Sequence, residues 1–219
     1  MMKSTSLGLT NFLMTTAAKR SAGFVHDQAK RPVELTLAVI GLIIAAPVML
    51  LLGIITKLTS RGPMFYVQER IGRGGKPFRM YKLRTMCLDA EAGGPVWSAP
   101  SDPRVTPFGR LLRKTHLDEL PQLINVVRGE MSLIGPRPER AHFVSKLQRS
   151  IPLYTARLAV KPGITGLAQV KHHYDRSIED VQTKLAYDLE YVRRACLMLD
   201  LQILALTVIK VVGGRGGSC

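Results

Sequence analysis

An uncharged, apolar run of 21 residues from Leu35 to Ile55 constrains the fold of this chain more than any other feature of the sequence. As an α-helix the run would be about 31 Å long, which matches the ~30 Å hydrocarbon core of a bilayer. No other apolar run in the sequence reaches that length. A single membrane-spanning helix is therefore the simplest prediction from hydropathy.

Two features favour a helix that enters the membrane and returns to the same side. Pro47 lies inside the run, where proline removes a helical hydrogen bond and favours a kink. Basic residues flank both ends, so the positive-inside rule assigns neither end to the outside. These residues are Lys19, Arg20, Lys30 and Arg31 on one side and Lys57, Arg61, Arg70 and Arg73 on the other. A bend would free backbone groups that need partners in lipid, so the residues alone leave spanning and re-entrant helices both open.

The charge balance indicates a polyanionic partner. The chain has 31 Lys and Arg against 16 Asp and Glu, a formal net charge of +15, which suits nucleic acid, anionic lipid or a phosphorylated substrate. A mean hydropathy of +0.09 is high for so basic a chain and favours a membrane surface. The cysteines Cys87, Cys196 and Cys219 form no CxxC pair, which predicts neither a disulfide framework nor a zinc site and indicates a reducing, cytosol-facing protein.

The segment after the apolar run predicts a β-hairpin followed by a long loop. Residues 64–86 read as two short strands around a glycine-rich turn at Gly72–Pro77. Lys82 and Arg84 are two residues apart, so they share one face of a strand and could bind an anion, although solvated surface charges are the simpler interpretation. Glu91–Pro107 contains four prolines and is predicted to be irregular.

An acidic pair precedes the next predicted helix. Pro121 marks the helix start, because proline is tolerated in a first turn, so Asp118 and Glu119 lie at or just before the N-terminus. Carboxylates there can simply cap the helix and complement its dipole. The functional alternative is a nucleophile, Asp118, beside a ligand for a divalent cation, Glu119. Arg137, held between two prolines, is suited to present its guanidinium to phosphate.

The C-terminal part predicts two apolar helical segments. Leu185, Leu189, Val192, Cys196 and Leu199 recur at helical spacing and predict one amphipathic helix. The run from 201 to 212 is too short to span a membrane, which predicts a helix that lies in the interface or packs on the core. Its polar residues fall on one side of the helix: Asp200, Gln202, Thr207 and Lys210.

Four motifs in order resemble the bacterial sugar transferase family, the monotopic phosphoglycosyl transferases. They read KRPVEL, QERIGRGGKPFRMYKLRTM, DPRVTPFGRLLRKTHLDELPQLINVVRGEMSLIGPRPE and KPGITGLAQV, and the resemblance covers roughly residues 30–213. It implies a mixed α/β, mainly helical, monotopic membrane protein with a re-entrant helix broken at Pro47. The expected organisation is a basic segment (1–31), the membrane helix (32–58), a small cytosolic catalytic domain with interfacial C-terminal helices (59–213) and a flexible tail (214–219).

The resemblance implies transfer of a sugar 1-phosphate from a UDP-sugar to undecaprenyl phosphate, with release of UMP, at the start of surface glycan or exopolysaccharide synthesis. Asp118 would form a covalent aspartyl phosphosugar intermediate, and Glu119 would hold the cofactor Mg²⁺. Arg137 would bind phosphate. The further candidates for substrate binding are Arg113, Lys82 and Arg84.

The expected location is the cytoplasmic face of the bacterial inner membrane, among its lipids, with no nucleic acid partner. A homo-oligomer and the identity of the sugar (glucose, galactose or an N-acetylated relative) are left open. The chain departs from the family in carrying Ala46 where serine often precedes the proline, and Glu34 where aspartate is common. The alternative function is a basic, membrane-tethered module that binds nucleic acid or protein without catalysis.

Overall fold

The computed structural model describes residues 4–94, 96, 102–172 and 178–213, with side chains from Ala29 onward except that of Val212. The architecture is mixed α/β and mainly helical, as predicted. The elements are α1 (Ser4–Thr59), β1 (Phe65–Ile71), β2 (Pro77–Leu83), α2 (Pro107–Lys114), α3 (Gln122–Arg128), β3 (Ser132–Ile134), α4 (Ala141–Ser150), β4 (Gly163–Thr165), α5 (Leu167–Lys171), α6 (Ile178–Arg194) and α7 (Leu197–Val212). The expected boundary at residue 32 is not a helix boundary, and the expected tail, 214–219, lies outside the described residues.

Helix α1 is long and apolar enough to cross a membrane. Its segment Ala29–Thr59 has a mean hydropathy of 2.8 in its most apolar window, of which only 22% is buried within the protein. The helix continues through both of its prolines, Pro32 and Pro47, so the turn back toward the entry side stays a prediction.

One narrow stripe of α1 packs against the rest of the chain. The buried positions recur every three, four or seven residues: Lys30, Glu34, Ala38, Ala45, Met49, Gly53 and Thr56. They lie on both sides of Pro47. The other faces carry exposed large apolar residues, among them Ile43 and Ile44, each 68% exposed. The compact domain therefore contacts α1 before and after its central proline.

The predicted hairpin is confirmed. Strands β1 and β2 pair antiparallel from Phe65 opposite Leu83 to Ile71 opposite Pro77. The turn needs glycine, because Gly75 has φ of +82°, in the left-handed region. The hairpin carries Lys82 toward the centre of the domain.

A second, parallel pair joins β3 to β4, with Ser132 opposite Gly163 and Ile134 opposite Thr165. The backbones approach so closely that a Cβ on Gly163 would lie 2.1 Å from the amide nitrogen of Gly135. Glycine is therefore required in the KPGITG segment, and the pairing fixes the strand that leads into Arg137.

The base of the predicted loop is closed by backbone hydrogen bonds. Cys87 N donates to Arg104 O at 3.0 Å and Thr106 N donates to Thr85 O at 2.9 Å. Thr106 also caps α2, because its Oγ1 accepts from Gly109 N at 3.0 Å. The middle of the loop, 95 and 97–101, lies outside the described residues.

The prediction of a single amphipathic helix over Leu185–Leu199 is wrong, because the helix is interrupted between the end of α6 and the start of α7. Cys196 is extended (φ −156°, ψ 160°), and α7 begins at the next residue. The break lets the Asp200 carboxylate turn inward, where it accepts from the Tyr191 hydroxyl at 2.8 Å. Apolar spacing alone continues across the break and conceals it.

Most of the polar side of α7 faces the protein rather than water. The Oγ1 atoms of Thr207 and Thr165 are 2.8 Å apart, and Lys210 Nζ donates to Gln169 O at 3.0 Å. The apolar side faces outward, and Ile209 is 68% exposed. A surface helix on a soluble domain turns its apolar side toward the core and its polar side toward water, so the orientation of α7 is the opposite.

Candidate functional site

Asp118 and Glu119 lie in a helical segment that leads into α3. Leu117–Glu119 forms a 3₁₀ turn, and Leu120 and Pro121 keep helical dihedral angles up to the start of α3. The predicted position of the pair at a helix start is therefore confirmed. His116, with φ of +56°, makes the sharp turn from α2 into this segment, and no sequence pattern identified it.

Two basic residues from distant parts of the chain converge on Glu119. Lys82 Nζ lies 2.7 Å from Glu119 Oε1, and Arg137 Nη2 lies 2.7 Å from the same oxygen. Arg137 Nη1 contacts Oε2 at a longer 3.4 Å. Burial alone would raise the pKa of Glu119, but Arg137 and Lys82 more than offset it and hold the pKa well below its usual range.

The neighbouring Asp118 has a different environment. Its side chain is buried, yet it makes no hydrogen bond to any residue that the structure describes. Burial and the adjacent Glu119 raise the pKa of Asp118, while Lys82, Arg113 and Arg137 oppose the rise. Two adjacent carboxylates whose pKa values are displaced in opposite directions are typical of a site where they have different roles.

Arg137 is supported by a buried ion pair that the sequence did not reveal. Arg157 Nη2 donates to the backbone oxygen of Arg137 at 2.8 Å and lies 2.7 Å from Asp188 Oδ2. Both side chains of this pair are 2% exposed. A buried pair of this kind is costly to disturb, so it fixes the backbone that presents Arg137.

The other two predicted substrate ligands are placed differently. Arg113 is near enough to Asp118 to lower its pKa, and its Nε donates to Thr85 Oγ1 at 2.9 Å. Arg84 is buried and donates to the Ser60 and Arg61 carbonyl oxygens at the end of α1. Arg84 thus supports the helix end, and its contact with substrate stays a prediction.

The two carboxylates suit Mg²⁺ only together with a substrate. Among the described residues there is no group of three or more His, Cys, Asp or Glu side chains that could hold a metal. Mg²⁺ in nucleotide sites is commonly held by one or two carboxylates and the substrate phosphates. Glu119 Oε2, with its single long contact, is the oxygen best placed to bind it. The two carboxylates therefore fit a cation whose remaining ligands come from a diphosphate.

The basic residues before the apolar run join α1 to the C-terminal end of α3. Arg31 Nη1 donates to Val126 O at 2.6 Å, and Nη2 donates to Val127 O at 2.9 Å. A guanidinium at this end satisfies free carbonyl groups and complements the helix dipole. Arg31 therefore binds the helix that directly follows the acidic pair, and does not only flank the apolar run.

Lys30 and Glu34 bind the strand that leads to Arg137. Lys30 Nζ donates to Ile134 O at 3.0 Å, and Glu34 Oε1 accepts from Ser132 Oγ at 2.5 Å and from Leu133 N at 2.9 Å. Both side chains are buried. In the sequence these residues lie beside the apolar run. Their partners are about 100 positions away, and the spacing of apolar and charged residues does not predict such contacts.

Comparison with known proteins is consistent with this geometry. A family model described as Bacterial sugar transferase matches residues 25–214. A UDP-N-acetylgalactosamine-undecaprenyl-phosphate N-acetylgalactosaminephosphotransferase of Aeromonas hydrophila is 42% identical over 192 residues, 88% of this chain and 45% of the relative. Two UDP-glucose:undecaprenyl-phosphate glucose-1-phosphate transferases are also similar. The protein of Xanthomonas campestris pv. campestris is 42% identical over 85% of this chain and 39% of its own length. The protein of Caulobacter vibrioides is 40% identical over 83% of this chain and 69% of its own length.

The chain spans less than half the length of the first two of these relatives. The matched part includes the acidic pair, the hairpin lysine and the arginine between two prolines. The comparison thus covers every element of the site described above.

Proposed function

The chain belongs to the bacterial sugar transferase family, and we propose that it transfers a sugar 1-phosphate from a UDP-sugar to undecaprenyl phosphate, releasing UMP. The observation that carries the proposal is the buried pair Asp118 and Glu119, with Lys82, Arg113 and Arg137 around it. This concentration of positive charge suits a diphosphate, and an anionic nucleophile can approach phosphorus only where such charge is present.

The first step forms a bond between a carboxylate oxygen of Asp118 and the phosphorus next to the sugar. The bond from that phosphorus to the bridging oxygen breaks, and UMP leaves with the electron pair. Burial raises the pKa of Asp118, whereas Arg137 and Lys82 hold the pKa of Glu119 low, so the Asp118 carboxylate is the better nucleophile of the two. Arg137 and Lys82 can move from Glu119 to the phosphate oxygens as negative charge develops there.

In the second step an oxygen of undecaprenyl phosphate attacks the same phosphorus. The bond to Asp118 breaks, the aspartate carboxylate is regenerated, and the sugar leaves as a lipid-linked diphosphate. No net proton transfer is required in either step. The covalent intermediate lets the water-soluble donor and the lipid acceptor react one after the other at one site.

The test is UMP release from membranes or detergent-solubilised protein supplied with undecaprenyl phosphate and, separately, UDP-glucose, UDP-galactose and their N-acetylated forms. Release with at least one donor, dependent on the lipid for continued turnover, is expected. The relatives are named for N-acetylgalactosamine and glucose, so both sugars belong in the panel. Failure with every donor would contradict the proposed function.

We expect EDTA to stop the transfer. When bound, Mg²⁺ would neutralise the donor diphosphate, with Glu119 as the protein ligand. The measurement is UMP release after EDTA treatment and after addition of excess MgCl₂, with the melting temperature recorded in both states. Activity that persists after complete removal of divalent cations would argue against a metal at Glu119.

We also propose that α1 is re-entrant and that the catalytic domain lies on the cytoplasmic face of the inner membrane. The supporting observation is the buried stripe, because Lys30 and Glu34 before Pro47, and Met49 and Thr56 after it, contact one domain. A spanning helix would carry the end after Pro47 to the other side of the bilayer, away from a domain that contacts the end before Pro47. The outward apolar side of α7 fits the same interface.

Labelling of single cysteines at positions 21 and 60 tests this topology. In a variant without the native cysteines, Ser21→Cys and Ser60→Cys should both be protected in intact cells from a thiol reagent that cannot cross the membrane. Both should react after permeabilisation, which is the control for accessibility. Labelling of position 21 alone in intact cells would instead show a spanning helix.

A further inference from the structure

We propose that Gln122 is a positioning residue for the nucleophile, and that in the reacting enzyme its side-chain amide donates a hydrogen bond to the Asp118 carboxylate. The inference rests on the proposed function, since it gives a role to a residue beside the proposed nucleophile. It is carried by a buried amide without a hydrogen-bond partner and by a nearby carboxylate that accepts no hydrogen bond from the described residues.

The first group is the amide of Gln122. Its side chain is 1% exposed, and its Nε2 atom is buried with no hydrogen-bond partner. Leaving such a donor unpaired destabilises the folded protein. Asn125, one turn further along α3, shows the usual outcome, because its Nδ2 donates to Arg79 O and to Glu130 Oε2, each at 2.7 Å. The fold can satisfy a buried amide here, and Gln122 is an exception.

The second group is the carboxylate of Asp118, which is 6% exposed and accepts no hydrogen bond from the part of the chain that the structure describes. Its neighbour Glu119, by contrast, accepts from both Lys82 and Arg137. The carboxylate oxygens of Asp118 keep contact with solvent, whereas the Gln122 Nε2 atom is fully buried. A carboxylate that accepts no hydrogen bond from the described residues therefore lies close in the chain to a buried amide that donates none.

The backbone brings the two groups together. Residues 117–128 keep helical dihedral angles, first in the 3₁₀ turn and then in α3, so position 122 lies about one turn beyond position 118. Aspartate and glutamine one helical turn apart can form a side-chain hydrogen bond. The proposal requires a rotation of the side chains that closes this bond. One carboxylate oxygen would then be fixed by Gln122, and the other would be aimed at phosphorus.

The substitution Gln122→Met separates this role from a structural one. Methionine has a similar size and removes the unpaired amide, so if Gln122 serves only packing, the melting temperature should stay the same or rise and the activity should not change. Under the proposal, the first-turnover rate of UMP release falls about 100-fold, the scale of a misplaced reacting group. The KM for the donor should change little, because the diphosphate still meets Lys82, Arg113 and Arg137.

The matched control is Gln169→Met. Gln169 is partly buried and, like Gln122, has an amide atom without a partner, in this case Oε1. Its Nε2 donates to Ile164 O, in the α5 region. It should retain the wild-type rate. Gln122→Glu, which keeps the shape but offers no donor when ionised, should lose at least as much rate as Gln122→Met.

A wild-type rate in folded Gln122→Met or Gln122→Glu would overturn the positioning role. Loss of the folded state in both variants would overturn it too, because the residue would then belong to the fold. Absence of UMP release from the wild-type protein with every donor is a different result, which contradicts the proposed function itself.

Discussion

Asp118→Asn should abolish UMP release while the protein stays folded. The amide has nearly the same size and shape as the carboxylate but carries no charge and is a very poor nucleophile toward phosphorus. Since the Asp118 side chain makes no hydrogen bond to the described residues, the substitution breaks no contact seen there. The expected loss is at least 1,000-fold, on the scale of removing a covalent nucleophile.

The measurement is first-turnover UMP release together with the melting temperature. The melting temperature should not fall, because burial raises the pKa of Asp118, so the ionised carboxylate is disfavoured in the folded protein and a neutral amide removes that cost. Substantial UMP release by a folded Asp118→Asn variant would rule out the aspartyl intermediate. The same variant tests the alternative of a basic binding module, because nucleic acid binding, if present, should survive the substitution and weaken steeply with salt.

Arg137→Ala should reduce the use of the donor by 100-fold or more. The variant removes one of the two cations beside Glu119, so the remaining contact of that buried carboxylate is with Lys82 at 2.7 Å. It also removes a bidentate donor for phosphate oxygens. Arg137→Lys should restore only part of kcat/KM, because the ammonium group supplies the charge without the planar pair of donors.

Arg140→Ala is the matched control. Arg140 is also an arginine with a carboxylate partner, but that partner is Glu91, whose side chain is 40% exposed. An ion pair this open contributes little, so kcat/KM and the melting temperature should change only slightly. Equal losses in Arg137→Ala and Arg140→Ala would show a general effect of surface charge, and full activity in Arg137→Ala would remove it from the site.

The parts of the site that the sequence predicted are those encoded within a few residues. Proline at 121 marks the helix start beside Asp118 and Glu119, and glycines mark the hairpin turn that precedes Lys82. These signals depend on local backbone preferences, which act regardless of the rest of the chain. The candidate site residues and the secondary structure around them could therefore be predicted from the sequence.

The parts that the sequence did not predict depend on contacts between distant segments. Arg157 reaches Arg137 across 20 residues and pairs with Asp188, and neither partner has a distinctive spacing. Lys30 looked like a membrane-flanking charge, because charge patterns do not show whether a side chain turns toward lipid headgroups or into the domain. The break at Cys196 was hidden for a related reason, since the contact that accompanies it, between Asp200 and Tyr191, leaves no trace in the apolar spacing.

The buried stripe on α1 has a consequence for how the protein is made. Ala38 belongs to the same hydrophobic cluster as Met80 and Met131, and Lys30 lies 3.4 Å from Asp200, so the anchor is part of the core. During synthesis α1 leaves the ribosome before the domain that it contacts, and Asp200 follows Lys30 by 170 residues. Until then the buried polar groups of α1 have no partners in the domain and need water instead. Removing α1 to obtain a soluble catalytic fragment would open the core. The domain can therefore finish folding only with α1 in place, which couples its folding to its attachment to the membrane.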